Sequence, residues 1–390
     1  MGRSYSYLNS AVQILSAYNG EEPFASYLKK YFGQNKKHGS RDRKQISHFC
    51  YCYFRLGKAL LNMPIEERIL IGLFLCSDQP NEMLEQLKRE WNKKTGLRFS
   101  EKLLIINYSL LISDVFPFKQ QMSSGMDHEN FGESFFIQPD LFIRLRPGCE
   151  DMVKTKLLAG GINFAEVTPT CLSLPNASKI EDIIELDKEA VIQDLNSQQT
   201  GELLENSEFK ISNQKPMVWD CCAASGGKSL MVYDIDPGIE LTVSDIRPSI
   251  LSNLKKRFAN AGIKNYKSFV IDLTQPDLKL RTKNFELIIC DAPCTGSGTW
   301  SRTPEQLYFF DNDIEQYSRL QKKIVSNIIP RLKEGGYLLY ITCSVFKKEN
   351  EEVVEFIKNN SDLLLVKMDL LKGYDKKADT MVAALFKKGS

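Results

Sequence analysis

Apolar positions along this chain follow two rhythms. Up to about residue 125 they recur every three or four places, in Tyr7–Tyr18, Gln45–Leu61, Ile65–Cys76, Pro80–Trp91 and Ser100–Phe116. That spacing lines one face of a helix. A helical N-terminal domain is therefore expected over residues 1–125. Lys119–Gly132 is polar and carries glycines, and it reads as a linker.

The rhythm then shortens. Leu141–Gly148 alternates apolar and basic residues, as a half-buried strand does. Glu150–Gly161 reads as a short helix stopped by glycines, followed by strand-like Phe164–Pro169 and Cys171–Pro175 and by Ala190–Leu204. A small α+β module over 126–205 is expected. From 206 to 390 strand and helix patterns alternate. "PMVWDCCA" leads into "GGKSLMVYDI", "ELTVSD" into "RPSILSNLKKRFANAG", and "FELIICDAP" into "DIEQYSRLQKKIVSNIIPRL". "GGYLLYITCS" precedes "KKENEEVVEFIKNN", and "DLLLVKMDL" and "DTMVAALFKK" read as two last strands. Such alternation predicts an α/β domain, a doubly wound parallel sheet with helices on both faces. With 390 residues the chain is too long for one ordinary core, which agrees with several parts.

In sheets of this kind ligands bind at the carboxyl ends of the strands. Those ends carry, in order, "DCCAASGGK", "SDI", "IDL", "CDAPC" and "TCS". Gly226 and Gly227 allow close backbone approach just before a helix begins. Asp245 suits a ribose, and Asp272 could receive an adenine amine. Each has a plainer reading, as a capping turn or a helix N-cap. The turn is neither GxGxxG nor a P-loop. Five polar strand ends in register make a nucleotide-like cofactor the stronger expectation.

Composition changes this picture little. A formal net charge of +2 neither demands nor excludes nucleic acid. Ten cysteines and three histidines include no CxxC, so no metal site is expected. No apolar run approaches a membrane span, and there is no apolar signal core. Unpaired thiols in this number point to the reducing cytoplasm.

The motifs together resemble the RsmB/NOP/Sun family of RNA cytosine-5 methyltransferases. "DCCAASGGKS" is similar to the family's D-x-C-A-A-P-G-G-K-T, with Ser225 where proline is usual. "DAPCTGSGTW" resembles D-A-P-C-S-G-x-G, and "YITCSVFKKENEEVV" resembles Y-x-T-C-S-x-x-x-x-E-N-E. "VIQDLNSQ" resembles an upstream segment of the family. "DTMVAALFKK" departs from D-G-F-F-x-A at Thr380 and Met381. The resemblance implies a Rossmann-like class I methyltransferase domain over 206–390, preceded by a small RNA-binding-like α+β module. The N-terminal helices resemble the NusB-like extension of the bacterial 16S ribosomal RNA branch.

It also implies roles. S-adenosyl-L-methionine would lie against Cys222, Ala223, Ala224, Ser225, Gly226, Gly227 and Lys228, and against Asp245, Asp272, Asp291 and Pro293. Ser225 is expected to loosen the turn. Cys343 would attack carbon 6 of cytosine, Asp291 would hold the base edge, Cys294 would assist release, and Lys228 would steady the loop and Asp291. The remaining cysteines read as inert buried thiols. RNA is the expected partner, ribosomal RNA before transfer RNA, to a monomeric protein. Seven basic residues between Lys29 and Lys44, with Tyr31 and Phe32, could meet phosphates. Arg144, Arg146 and Arg302 are further candidates. An RNA-binding assembly factor on the same fold, or a methyltransferase of proteins or small molecules, stays open.

Overall fold

The computed structural model describes residues 3–106, 112–205, 215–276 and 284–389. The expected boundary at 206 falls outside them. Contacts divide the chain into two compact units. One comprises Met1–Met122, Asp127–Gln138 and Trp300–Asp311. The other comprises Ser123–Met126, Pro139–Thr299 and Asn312–Ser390.

The first unit is helical. Its longer helices are Arg3–Ala17, Phe24–Gln34, Ser40–Arg55 and Ile65–Leu75. Gly72 lets the last two meet closely, because a Cβ there would lie 2.1 Å from the Cys52 carbonyl oxygen. Aromatic rings fill the centre. Phe54 packs edge-on against Phe24, Tyr18 and Tyr308, with centroids 5.0, 6.0 and 5.4 Å away. The buried Arg68 guanidinium donates to the carbonyls of Ala59, Tyr53 and Gly57 and lies 4.5 Å from the Tyr53 ring centroid.

Lys119–Gly132 is not a plain linker. It forms a 3-10 turn at Lys119–Gln121 and enters a helix, His128–Ser134, capped by Asp127. Phe131 explains the order: its ring lies 5.0 Å from Phe116 and 5.4 Å from Phe135. Burial of one aromatic outweighs the polar composition around it.

The second unit contains two sheets. The smaller is antiparallel, with strands β1 Leu141–Leu145, β2 Ala165–Thr168, β3 Cys171–Leu174 and β4 Ala190–Ile192 in the order β2-β3-β1-β4. Ile143, Leu145, Leu172 and Leu174 form its apolar core with Val153 and Leu157 of the helix Glu150–Ala159.

The larger sheet has seven strands: β5 Met217–Asp220, β6 Glu240–Asp245, β7 Tyr266–Val270, β8 Phe285–Asp291, β9 Leu332–Thr342, β10 Leu363–Leu371 and β11 Met381–Lys388. Their order is β10-β11-β9-β8-β5-β6-β7. The five strands β5 to β9 are parallel, whereas β11 runs antiparallel to both β9 and β10. The expected parallel sheet is thus present, with an antiparallel edge at β10 and β11. The connection from Leu371 to Met381 is too short for the crossover that a parallel pair needs. Side chains alternate between two apolar layers. Leu287 and Ile289 of β8 face the layer with Leu230, Leu254 and Phe258. Ile288 and Cys290 face the layer with Ile324, Val325 and Ile357. Both faces are therefore covered, as apolar parallel strands require. Chain order reverses at β5, which lies between β6 and β8, and the crevice at that point opens at the strands' carboxyl ends.

Candidate active site

A cavity of about 530 Å3 occupies that crevice. Its wall includes Cys222, Ala224, Asp245, Asp272, Asp291, Pro293, Cys294 and Cys343, so the five strand ends converge on one space. Volume alone does not single it out. Cavities of about 560 and 540 Å3 exist elsewhere in this unit and carry none of these strand-end acids.

The turn after β5 is shaped by its backbone. Ala224 and Gly226 have φ of 45° and 87°, and a Cβ on Gly226 would stand 2.8 Å from Phe258. Glycine is required there for conformation and for space. Ala223 N–H donates to the Ser244 carbonyl at 2.9 Å, and Ala224 N–H donates to Asp245 at 3.0 Å. Ser225 does not leave the turn loose. Arg257 Nη1 donates to both its carbonyl and its hydroxyl at 3.1 Å, and Arg257 is anchored on Asp187. The helix Gly227–Ile235 follows, and Gly227 leaves open space at its start.

Asp245 accepts from the Arg247 backbone and guanidinium, at 2.9 Å to N and to Nε. Burial raises its pKa, but Arg247 and the Ala224 N–H outweigh burial and hold it below the usual carboxylate range. Asp272 takes Gln275 Nε2 and the Thr274 N–H and hydroxyl, which lower its pKa as well. Both acids are thus ionised acceptors on the rim. Asp220, beneath the turn, differs. Burial pushes it up to about 7, with only Ser229 donating to it.

Lys228 is buried, and its Nζ reaches Asp291 at 3.1 Å and the Ser197 hydroxyl at 2.8 Å. Asp291 ends β8 with its side chain about one-third exposed, and it lines the cavity. The Cys294 and Cys343 sulfurs are 3.2 Å apart. The hydrogen bond to Cys343, then burial, raises the Cys294 pKa well above the usual thiol range. Pro293 is exposed on the rim, and its carbonyl accepts from Gln321 at 3.0 Å. Gly298 closes the cysteine loop, with its N–H on the Cys343 carbonyl and its carbonyl taking the Thr380 N–H, each at 2.9 Å. A Cβ there would meet the Thr380 oxygen at 1.9 Å. Thr380 is fully buried, so it braces this loop and does not face a substrate.

The two arginines of the small module are not a free RNA face. Arg144 and Arg146 both pair with Asp234, each at 2.6 Å, and Arg144 is buried. Desolvating two guanidiniums is offset by sharing one buried carboxylate. In the helical unit, Lys29, Lys36, Lys37 and Lys44 are exposed, whereas Phe32 is buried under Arg43. Arg302 belongs to that unit also.

Several residues at this site carried no sequence signal of their own. Arg247 beside Asp245, Ser197 under Lys228, and Tyr317 and Leu320 on the cavity wall are among them. Glu349 is another. It is fully buried and bonded to the loops of both sulfurs. Ser197 and Glu349 do fall within "VIQDLNSQ" and the "ENE" of "KKENEE", which was the signal available.

Comparison with known proteins agrees with this geometry. A family described as 16S rRNA methyltransferase RsmB/F matches residues 209–385. Ribosomal RNA small subunit methyltransferase B of Photorhabdus laumondii is 31% identical over 224 residues, 55% of this chain and 50% of that protein. The chain thus spans about half the length of the curated relatives it matches. The crystal structure of PH0851 superposes with a TM-score of 0.69 at 17% identity, covering 99% of this chain and 98% of that one. NSun6 from Pyrococcus horikoshii, solved with SFG, gives 0.59 at 16%, covering 72% and 97%. These likenesses show a Rossmann-like methyltransferase fold.

Proposed function

Residues 209–385 match the family described as 16S rRNA methyltransferase RsmB/F, and on that ground we propose that the protein belongs to it and is an S-adenosyl-L-methionine-dependent RNA cytosine-5 methyltransferase acting on ribosomal RNA. One observation carries the reading. Two sulfurs 3.2 Å apart border the same cavity as Asp291, which Lys228 holds.

The cavity suits the cofactor. It has ionised acceptors at Asp245 and Asp272, and its wall takes in Cys222 and Ala224 of the turn after β5. S-adenosyl-L-methionine supplies an electrophilic methyl group when bound. The chain's own residues do the rest. Carbon 5 of cytosine is a poor nucleophile until a thiolate adds to carbon 6, which converts the ring into an enamine. We assign that attack to Cys343. Asp291 would accept from the cytosine amine and share a proton with nitrogen 3, easing the addition. Lys228 fixes its orientation. After methylation the proton on carbon 5 must leave. Cys294 is placed to take it. While Cys343 is free, their hydrogen bond keeps Cys294 a thiol. Once the Cys343 sulfur carries the base, that hydrogen bond no longer raises Cys294 but burial still does, so Cys294 releases its own proton to solvent before it takes the one on carbon 5. The target base must be unstacked to enter such a cavity.

The exposed lysines between Lys29 and Lys44 support RNA contact by the helical unit. We keep the reading of a helical region at 1–125, an α+β module at 126–205 and the catalytic domain at 206–390, in a cytoplasmic monomer. The test is direct. Incubated with S-adenosyl-L-methionine and unmodified small-subunit ribosomal RNA, Cys294→Ala should accumulate a denaturation-resistant protein–RNA adduct. Adding Cys343→Ala should abolish it. An adduct that persists in the double variant sinks the assignment.

A further inference from the structure

Neither catalytic sulfur sits on regular backbone. Cys294 lies on the loop after β8, and Cys343 lies just beyond the end of β9. Their 3.2 Å separation is therefore set by the contacts between these loops, the Gly298 N–H on the Cys343 carbonyl and side-chain bonds among them. One carboxylate is bonded to both loops. Glu349 Oε1 accepts from Thr295 N–H at 2.8 Å and from Gln321 Nε2 at 3.2 Å. Its Oε2 accepts from the Thr295 hydroxyl at 2.6 Å and from the Ser344 hydroxyl. Thr295 directly follows Cys294, and Ser344 directly follows Cys343. Gln321 extends the grip by donating to Pro293, the residue before Cys294. Glu349 is itself fixed, since its backbone carbonyl accepts from the buried Tyr340 hydroxyl at 2.7 Å.

A buried carboxylate with four donors is an unusually directional joint, because each charge-assisted bond fixes distance and angle. Here it has no counter-cation among its bonded partners, which are amide and hydroxyl groups. A residue needed only for packing could be apolar at lower cost.

We propose that Glu349 is a positioning residue for product release, which sets Cys294 against the base held by Cys343 by tying Thr295 to Ser344. The inference rests on the cytosine-5 reading above. In that reaction the Cys294 thiolate takes the proton from carbon 5. The freed electron pair forms the carbon 5–carbon 6 double bond, and the carbon 6–sulfur bond breaks, returning Cys343 as thiolate. Only this step requires the second sulfur to be placed to within a few tenths of an ångström of its target. Attack and cofactor binding do not involve Cys294, so loosening the clamp stalls the enzyme after methylation.

Two variants test this, with Cys294→Ala as the reference. Glu349→Gln keeps the volume and removes the charge. Thr295→Val removes the hydroxyl that donates to Glu349 and also meets Ser297 and Ser344, and keeps the Thr295 N–H on Glu349. With S-adenosyl-L-methionine and the unmodified small-subunit ribosomal RNA transcript, Glu349→Gln should turn over at least tenfold more slowly. Its denaturation-resistant adduct should rise at least fivefold. Half-saturating RNA and cofactor affinity should stay within twofold of the native protein. Thr295→Val should move the adduct the same way, at least twofold. A purely structural defect would lower kcat and cofactor affinity together and trap nothing. If Cys294→Ala traps adduct and neither variant does, the role of Glu349 is overturned alone. If Cys294→Ala traps none, the cytosine-5 reading falls and this inference with it. Should Glu349→Gln not fold, Thr295→Val decides.

Discussion

Two groups of cysteines lie at the carboxyl ends of the same parallel strands. Cys221, Cys222 and Cys290 have sulfurs within 4.8 Å of one another. Cys294 and Cys343 stand 3.2 Å apart. By count the trio is the more conspicuous. Its surroundings are apolar: Cys221 and Cys290 are buried with Trp219, Ile288 and Tyr340. Burial pushes the Cys221 thiol far up, away from the thiolate that would react. Cys221 and Cys222 reach the wall of the same cavity as the pair, but the pair is partly exposed and is held by a polar frame of Glu349, Thr295 and Ser344. The same side chain is thus structural in one place and suited to chemistry in the other. What separates them is a set of donors that fixes position.

The sharpest way to break this contrast is Cys343→Ala. Loss of the sulfur proposed to attack should cut methyl transfer by about a thousandfold or more, read as labelled methyl incorporated into RNA. Residual activity within tenfold of native would remove the reason for distinguishing the pair. Next comes Lys228→Met, which strips Asp291 of its ion pair and leaves both sulfurs untouched. Turnover should fall about a hundredfold through misplacement of the base edge, measured in single-turnover reactions. If only cofactor affinity changes, Lys228 serves the turn and not the base.

Much of this arrangement was readable because it is local. Strand ends, the glycine turn and both cysteine motifs are each written within a few consecutive residues, and alternation of strand and helix brings them to one edge. What was not readable depends on partners distant in sequence. Arg144 and Arg146 look like an RNA-facing strand until Asp234, on another element, is seen to neutralise them. Ser225 looks like a loosened turn until Arg257 ties it. Glu349 is one acid in an acidic run, and only the fold turns it inward to meet Thr295. The direction of β11 was set by a short connection, not by its apolar pattern, which is the same in either orientation. Phe131 shows the converse, a single buried ring ordering a stretch whose composition reads as linker.

Alkylation sharpens the contrast without mutation. Iodoacetamide followed by peptide mass spectrometry should label Cys343 and Cys294 at least about tenfold faster than Cys221 and Cys290, because the pair is partly exposed whereas the other two are buried. S-adenosyl-L-methionine should protect the pair. The Cys294 rate should still be rising at pH values where an ordinary thiol has levelled off, since its hydrogen bond to Cys343 and its burial keep it protonated. Equal rates at all four sites would dissolve the distinction.

The smallest expected effect lies in the trio. Cys290 sits on β8 one residue before Asp291, so it tests whether neighbourhood in sequence implies a share in the chemistry. Its sulfur points into the layer with Ile324 and Val325, and its backbone is held by pairing with Tyr340 of β9. Cys290→Ala deletes one buried atom and keeps that pairing. The cost should be about 1 kcal/mol of stability, the usual size for a small cavity in a packed core, seen as a lowered urea midpoint with unchanged slope. Methyl transfer should stay within about twofold of native, because strand register and not the side chain places Asp291. A tenfold loss of turnover with unchanged stability would mean that the buried sulfurs act on Asp291 or on the turn after β5. The line between structural and catalytic cysteine would then have to be redrawn through β8 itself.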